Sequence, residues 1–116
     1  MNLDSIREYA LSLPGAAESF PFDEETLVFK AGGKMFLLMD LSGERGINVK
    51  CDPEKATELR EKYDTILPGY HMNKQNWNTI LLHGHYGEKD IKGWITDSYH
   101  LIVNSLPKKV QAEIRP

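Results

Sequence analysis

The sequence predicts an α+β fold: an antiparallel sheet of about five strands in the order α-β-β-β-α-β-β-α, with helices packed on the sheet. Three observations carry this. Short apolar runs in the first half are separated by glycine turns too brief for a crossover, which implies an antiparallel meander. Asp52-Pro53 marks a helix start in the middle of the chain. A long amphipathic stretch from Glu88 to Leu106 closes the order.

In chain order, Leu3, Ile6, Ala10 and Leu13 fall at helical spacing, so residues 3–13 read as a helix that Pro14-Gly15 ends. Thr26–Ala31 reads as a half-buried strand, and Ala31-Gly32-Gly33-Lys34 as a hairpin turn. Met35–Leu41 is nearly all apolar and fits a central strand. Ser42-Gly43-Glu44 turns the chain into Gly46–Cys51, where Ile47, Val49 and Cys51 face one way and Asn48 and Lys50 the other. From the Asp52 cap a helix runs to about Tyr63, with Ala56, Leu59 and Tyr63 as its inner stripe. Residues 66–72 give a short extended piece and then a loop at Pro68-Gly69, and Trp77–Leu82 forms another strand. The closing helix presents Ile91, Trp94 or Ile95, Ser98, Leu101 or Ile102, and Ser105 to the core, with Gly93 costing about 1 kcal/mol relative to Ala. Lys108 to Pro116 reads as a polar tail.

At 116 residues the chain has the length of one domain, spanning 1–116, with 41% hydrophobic and 27% charged residues. Cys51 is its single cysteine, so no intrachain disulfide can form, which points to a reducing compartment. The N-terminus shows no basic start followed by an apolar run, and no apolar run approaches the ~20 residues that span a bilayer. The expectation is a cytoplasmic protein with no membrane partner. The net charge of −3 works against nucleic-acid affinity, which draws on Lys and Arg contacts to phosphate. The charge is uneven: residues 1–51 carry five basic and eight acidic side chains.

The densest polar-aromatic segment runs from Pro68 to Asn78. It holds Tyr70, His71, Asn73, Lys74, Trp77 and Asn78, a mixture suited to stacking bases or holding a small polar ligand. A structured loop anchored by its aromatics explains the same composition. The basic series Lys30, Lys34, Arg45, Lys50 and Lys74 would form a phosphate-facing patch if its strands are neighbours, and solvated edge guards otherwise. His83-x-His85 lacks further ligands at a familiar spacing, so no metal or other cofactor is expected. Cys51 and Ser98 both read as buried structural residues, and no nucleophile elbow or phosphate loop is present. No catalytic constellation emerges, and the expectation is a protein that is not an enzyme.

Five blocks resemble a known family: Leu13-Pro14-Gly15 with Glu18 and Pro21-Phe22; Val28-Phe29-Lys30 with Gly33-Lys34-Met35-Phe36; Lys50-Cys51-Asp52-Pro53; Pro68-Gly69-Tyr70-His71-Met72-Asn73-Lys74 with Trp77-Asn78-Thr79; and Ser98-Tyr99. Together they resemble the MmcQ/YjbR family over nearly the whole chain. The resemblance implies a YjbR-like fold similar to the type III secretion chaperones. It also implies a DNA-binding module with a double-wing arrangement of hairpins, contacting DNA through the hairpin lysines and the Tyr70–Trp77 loop. Gln75-Asn76 departs from one common form of the fourth block, where a basic residue and a His precede the Trp. The alternative expectation is a chaperone-like module that binds a protein or small ligand and no nucleic acid. The oligomeric state is left open by the sequence.

Overall fold

The computed structural model describes residues 1–70 and 72–115. It is an α+β structure in the order α1 (Leu3–Ser12), β1 (Ala16–Ser19), β2 (Thr26–Ala31), β3 (Lys34–Asp40), β4 (Ile47–Lys50), α2 (Pro53–Lys62), β5 (Ile66–Pro68), β6 (Trp77–Ile80), α3 (Glu88–Asn104) and α4 (Lys108–Ile114). The six strands form one antiparallel sheet in the order β1-β2-β3-β4-β6-β5. The expected meander is present as β2, β3 and β4. Two elements are additional to the sequence reading: the edge strand β1, and α4 where a polar tail was expected.

Capping sets several boundaries. The Asn2 side chain accepts from the Ser5 N–H at 2.8 Å and starts α1. The Asp52 carboxylate accepts from the Glu54 and Lys55 N–H groups, and Pro53 opens α2 as the sequence predicts. In α3 the Asp90 carboxylate reaches back to the Gly87 N–H at 3.1 Å.

The sheet's two faces differ. Register places Leu27, Phe29, Leu37, Met39, Ile47, Val49 and Ile80 on one face. These residues share a buried cluster with Ile6 and Ala10 of α1, Ala56 and Leu59 of α2, and Ile91, Ile95, Tyr99, Ile102 and Val103 of α3. Tyr99, one residue beyond the predicted stripe, is 1% exposed; its hydroxyl donates to the Pro14 carbonyl and its ring meets Phe36 edge-on. Among the described residues, no helix packs on the second face. A smaller cluster of Val28, Leu38 and Trp77 lies there, flanked by Met35 and Met72.

Two glycines make the close approaches possible. Gly46 precedes β4 with φ +61°, and a methyl there would lie 2.0 Å from the Ile80 carbonyl oxygen of β6. Gly32, at φ +58°, lies under Leu106, Val110 and Ile114, so α4 packs on the β2–β3 hairpin through Val110 and Ile114. The outer edges are β1, whose Glu18 pairs with Arg7 of α1, and β5, which ends at Pro68. Among the described residues no helix is long and apolar enough to cross a membrane.

Candidate functional site

The helix-free face holds a cleft of about 510 Å³, within the range of small-ligand sites. Its floor comes from β2, β3 and β4 through Thr26, Leu38, Asp40 and Asn48. One wall is the segment before β2, with Phe22, Asp23 and Glu25. Another is the β3–β4 connection, with Ser42, Glu44 and Arg45, and the far wall is Tyr70 and Met72 after β5.

Local chemistry shapes each wall. Asp23 accepts from the Glu25 and Thr26 N–H groups at 2.9 and 2.7 Å, and these bonds, the Thr26 one foremost, hold its carboxyl below the usual range. Asp40 accepts from the Ser42 N–H and hydroxyl and from the Arg45 N–H, curling residues 41–46 back over the face. Burial alone would raise the Asp40 carboxyl; the hydrogen bonds and the Arg45 charge outweigh it and leave it lowered. The curl delivers Arg45 onto the Tyr70 ring, 3.8 Å from its centroid. Tyr70 is anchored in turn: its N–H donates to Thr79 Oγ1 at 3.0 Å, and that hydroxyl donates to Asn48 Oδ1 at 2.5 Å. Among the described residues the Glu25 and Glu44 carboxylates have neither a hydrogen bond nor an ion pair.

The residues singled out from the sequence do not converge. Lys30 and Lys50 do share the open face, facing Met35 and Trp77 respectively, two strands and about 10 Å apart. They sit at the end of the sheet away from Asp40 and Arg45. Lys34 lies on the other face, its Nζ 3.4 Å from Ser105 Oγ at the end of α3, so the single lysine patch is corrected to a pair. Lys74 turns inward to the Gly69 carbonyl at 3.0 Å, and its own carbonyl accepts from Arg60 at 2.6 Å. Asn73 is exposed but caps its loop, accepting from the Gln75 N–H at 2.9 Å. Trp77 is 8% exposed and packs into the small cluster, so its ring offers no stacking surface. Asn78 is a further correction. It is fully buried beneath α2, donating to the Ala56 carbonyl at 3.2 Å, with an Oδ1 that has no partner among the described residues. Strand alternation explains this: Asn78 pairs with Val49, on the helix side. His71 lies outside the described residues.

Cys51 and Ser98 are buried, as the sequence suggested. Burial pushes the Cys51 thiol up to about 11. Sequence reasoning did not count Phe22, Asp40, Asn48 or Thr79 among the site residues. Alternation in β3 and β4 was the available signal, since it turns Leu38, Asp40 and Asn48 away from the core.

A family model described as YjbR matches residues 11–101 of the chain. The chain belongs to the YjbR family. Within it, the uncharacterised protein YbdF of Escherichia coli O157:H7 is 39% identical over 114 residues, covering 97% of this chain and 93% of YbdF. The uncharacterised protein YjbR of Escherichia coli K12 is 27% identical over 110 residues, covering 94% and 93%. The crystal structure of Deinococcus radiodurans protein DR2400, a DUF419 domain, superposes with a TM-score of 0.90 at 35% identity, covering 97% of this chain and 87% of that one. A Pseudomonas syringae protein gives a TM-score of 0.75 at 33% identity, covering 88% and 99%. The YjbR relatives thus contribute a fold and a family; the chemistry of the open face has to be read from its own residues.

Proposed function

We propose that this YjbR-family chain is a non-catalytic binding module that holds a protein or small ligand in the open-face cleft, and that nucleic acid is not its ligand. The observation that carries this is the lining: four carboxylates, Asp23, Glu25, Asp40 and Glu44, against one guanidinium, Arg45, with the exposed Phe22 and Tyr70 beside them. Phosphate would meet net negative charge there, in a molecule already at −3. The DNA-binding reading retains Lys30 and Lys50 on this face, yet Lys34 and Lys74 are directed elsewhere and Trp77 is buried.

The test is heteronuclear NMR at low salt with a duplex and a single-stranded oligonucleotide in one arm and a mixed fragment collection in the other. Fragments are expected to move the amides of Leu38, Asn48, Tyr70 and Met72, while oligonucleotides leave the spectrum unchanged. Salt-sensitive shifts at Lys30 and Lys50 on adding oligonucleotide, or fragments that never touch the cleft, would overturn the proposal.

A further inference from the structure

The position of Arg45 identifies the chemistry that the cleft accommodates. Its guanidinium carbon sits over the Tyr70 ring, 3.8 Å from the centroid, inside a cleft whose other charged residues are all acidic. It is held there by its backbone, through the Arg45 N–H bond to Asp40 at 2.9 Å, and its side chain forms no ion pair within the 4 Å limit of a salt bridge among the described residues. Asp23 and Asp40 are engaged in their own turns, whereas the Glu25 and Glu44 carboxylates have no partner among the described residues. The site therefore combines the Tyr70 ring with two carboxylates that have no partner among the described residues, and the cation stacked on that ring is an arginine of the same chain.

We infer that the cleft receives an arginine side chain from an extended segment of a partner protein, and that Arg45 fills the seat until that segment displaces it. The inference rests on the cleft being the binding site, as proposed above. Charge complementarity selects a cation. The ring favours guanidinium over ammonium, because a planar, weakly hydrated cation stacks where a compact, strongly hydrated one does not. The space selects a peptide over a lone guanidine. At about 510 Å³ the cleft exceeds one arginine side chain, and the remainder is lined by Phe22, Leu38 and Met72. Those surfaces suit apolar residues flanking the arginine.

The experiment titrates the chain with a capped Leu-Arg-Leu peptide, its Leu-Lys-Leu counterpart and arginine amide, following the Arg45 Nε–H and the Tyr70 ring by NMR. Leu-Arg-Leu is expected to saturate, to move the Arg45 Nε–H out of its ring-shifted position, and to bind about threefold or more tightly than either control. Arg45→Ala removes the internal competitor and should tighten Leu-Arg-Leu binding several-fold. Tyr70→Leu should erase the preference for Arg over Lys. Both positions are exposed, so both variants are expected to fold, and their thermal unfolding would be recorded alongside. Equal binding of the Lys peptide, unchanged or weaker binding to Arg45→Ala, or no response up to about 5 mM peptide would overturn the inference. If fragments of other chemistry still move the cleft amides, the binding site stands and only its arginine assignment falls.

Discussion

Ser98 joins two strands to α3 through one hydroxyl. It donates to the Phe36 carbonyl at 2.6 Å, beside the register shift between β2 and β3, and accepts from the Lys50 N–H at 2.8 Å at the end of β4. Both groups lie where the ladder is irregular or ending, and the residue is fully buried. Ser98→Ala should therefore cost roughly 2–3 kcal/mol, since two polar backbone groups lose their partner out of reach of water; urea unfolding measures it. At Cys51, burial that raises the thiol to about 11 keeps it protonated at neutral pH. Iodoacetamide should label the folded chain far more slowly than the urea-unfolded chain, and equal rates would contradict the burial. Both residues were legible from the sequence, because each stands on an apolar stripe that a periodicity count detects. Asn78 and Tyr99 were not. The first sits in a polar-aromatic run whose composition suggests a surface loop, and only its pairing with Val49 reveals that it is buried. The second lies one step off the stripe, and its phenolic hydroxyl is satisfied by Pro14, 85 residues earlier.

Between elements, the junction of β4 with β6 depends on a glycine. These strands are neighbours in the sheet but separated in the chain by α2 and β5. Gly46 lets the β4 entry pass against the Ile80 carbonyl, where a side chain would collide with backbone at 2.0 Å and also require φ +61°. Gly46→Ala should lower stability by about 3 kcal/mol or more. Thermal unfolding would show this, with Gly43→Ala, which has open space but the same sign of φ, as the milder control. The meander, the α2 start and α3 could be read from sequence because turn glycines, the Asp-Pro start and amphipathic spacing are local signals. Strand β1 could not, since Ala16-Ala17-Glu18-Ser19 has little β-propensity and becomes a strand by pairing with β2. Helix α4 was hidden for a related reason: Val110 and Ile114 are sparse in a polar run, and their partner surface is made of glycines. The cleft was partly legible in Tyr70 and Arg45, but its acidic wall needs the β1–β2 and β3–β4 connections brought together.

For the molecule as a whole, acid is the informative perturbation. Glu18, hydrogen-bonded by Arg7, and Asp23 and Asp40 within their turns, all have folded carboxyls below their ordinary values. A lowered folded value means that the unfolded chain binds protons first as pH falls. These groups thus contribute stability that is fully present above about pH 5 and is lost as pH drops through their folded values. The urea midpoint should hold level from neutral to about pH 5 and then decline, and Asp40→Asn should flatten the decline. A midpoint that rises on acidification would show that relief of the net charge of −3 outweighs the turns.

The two sheet edges bear on how the protein tolerates crowding. At one margin Glu18 is tied to Arg7; at the other, a three-residue strand ends in Pro68, which has no N–H to offer a neighbour. An incoming strand from another copy would have to displace an ion pair at the first and would run out of donors at the second. Concentrated solutions should accordingly resist ladder-like fibre growth, even with Phe20 and Phe22 exposed beside β1. Replacing both Glu18 and Pro68 by valine should remove that resistance, read as thioflavin-positive aggregation at concentrations where the parent chain stays clear.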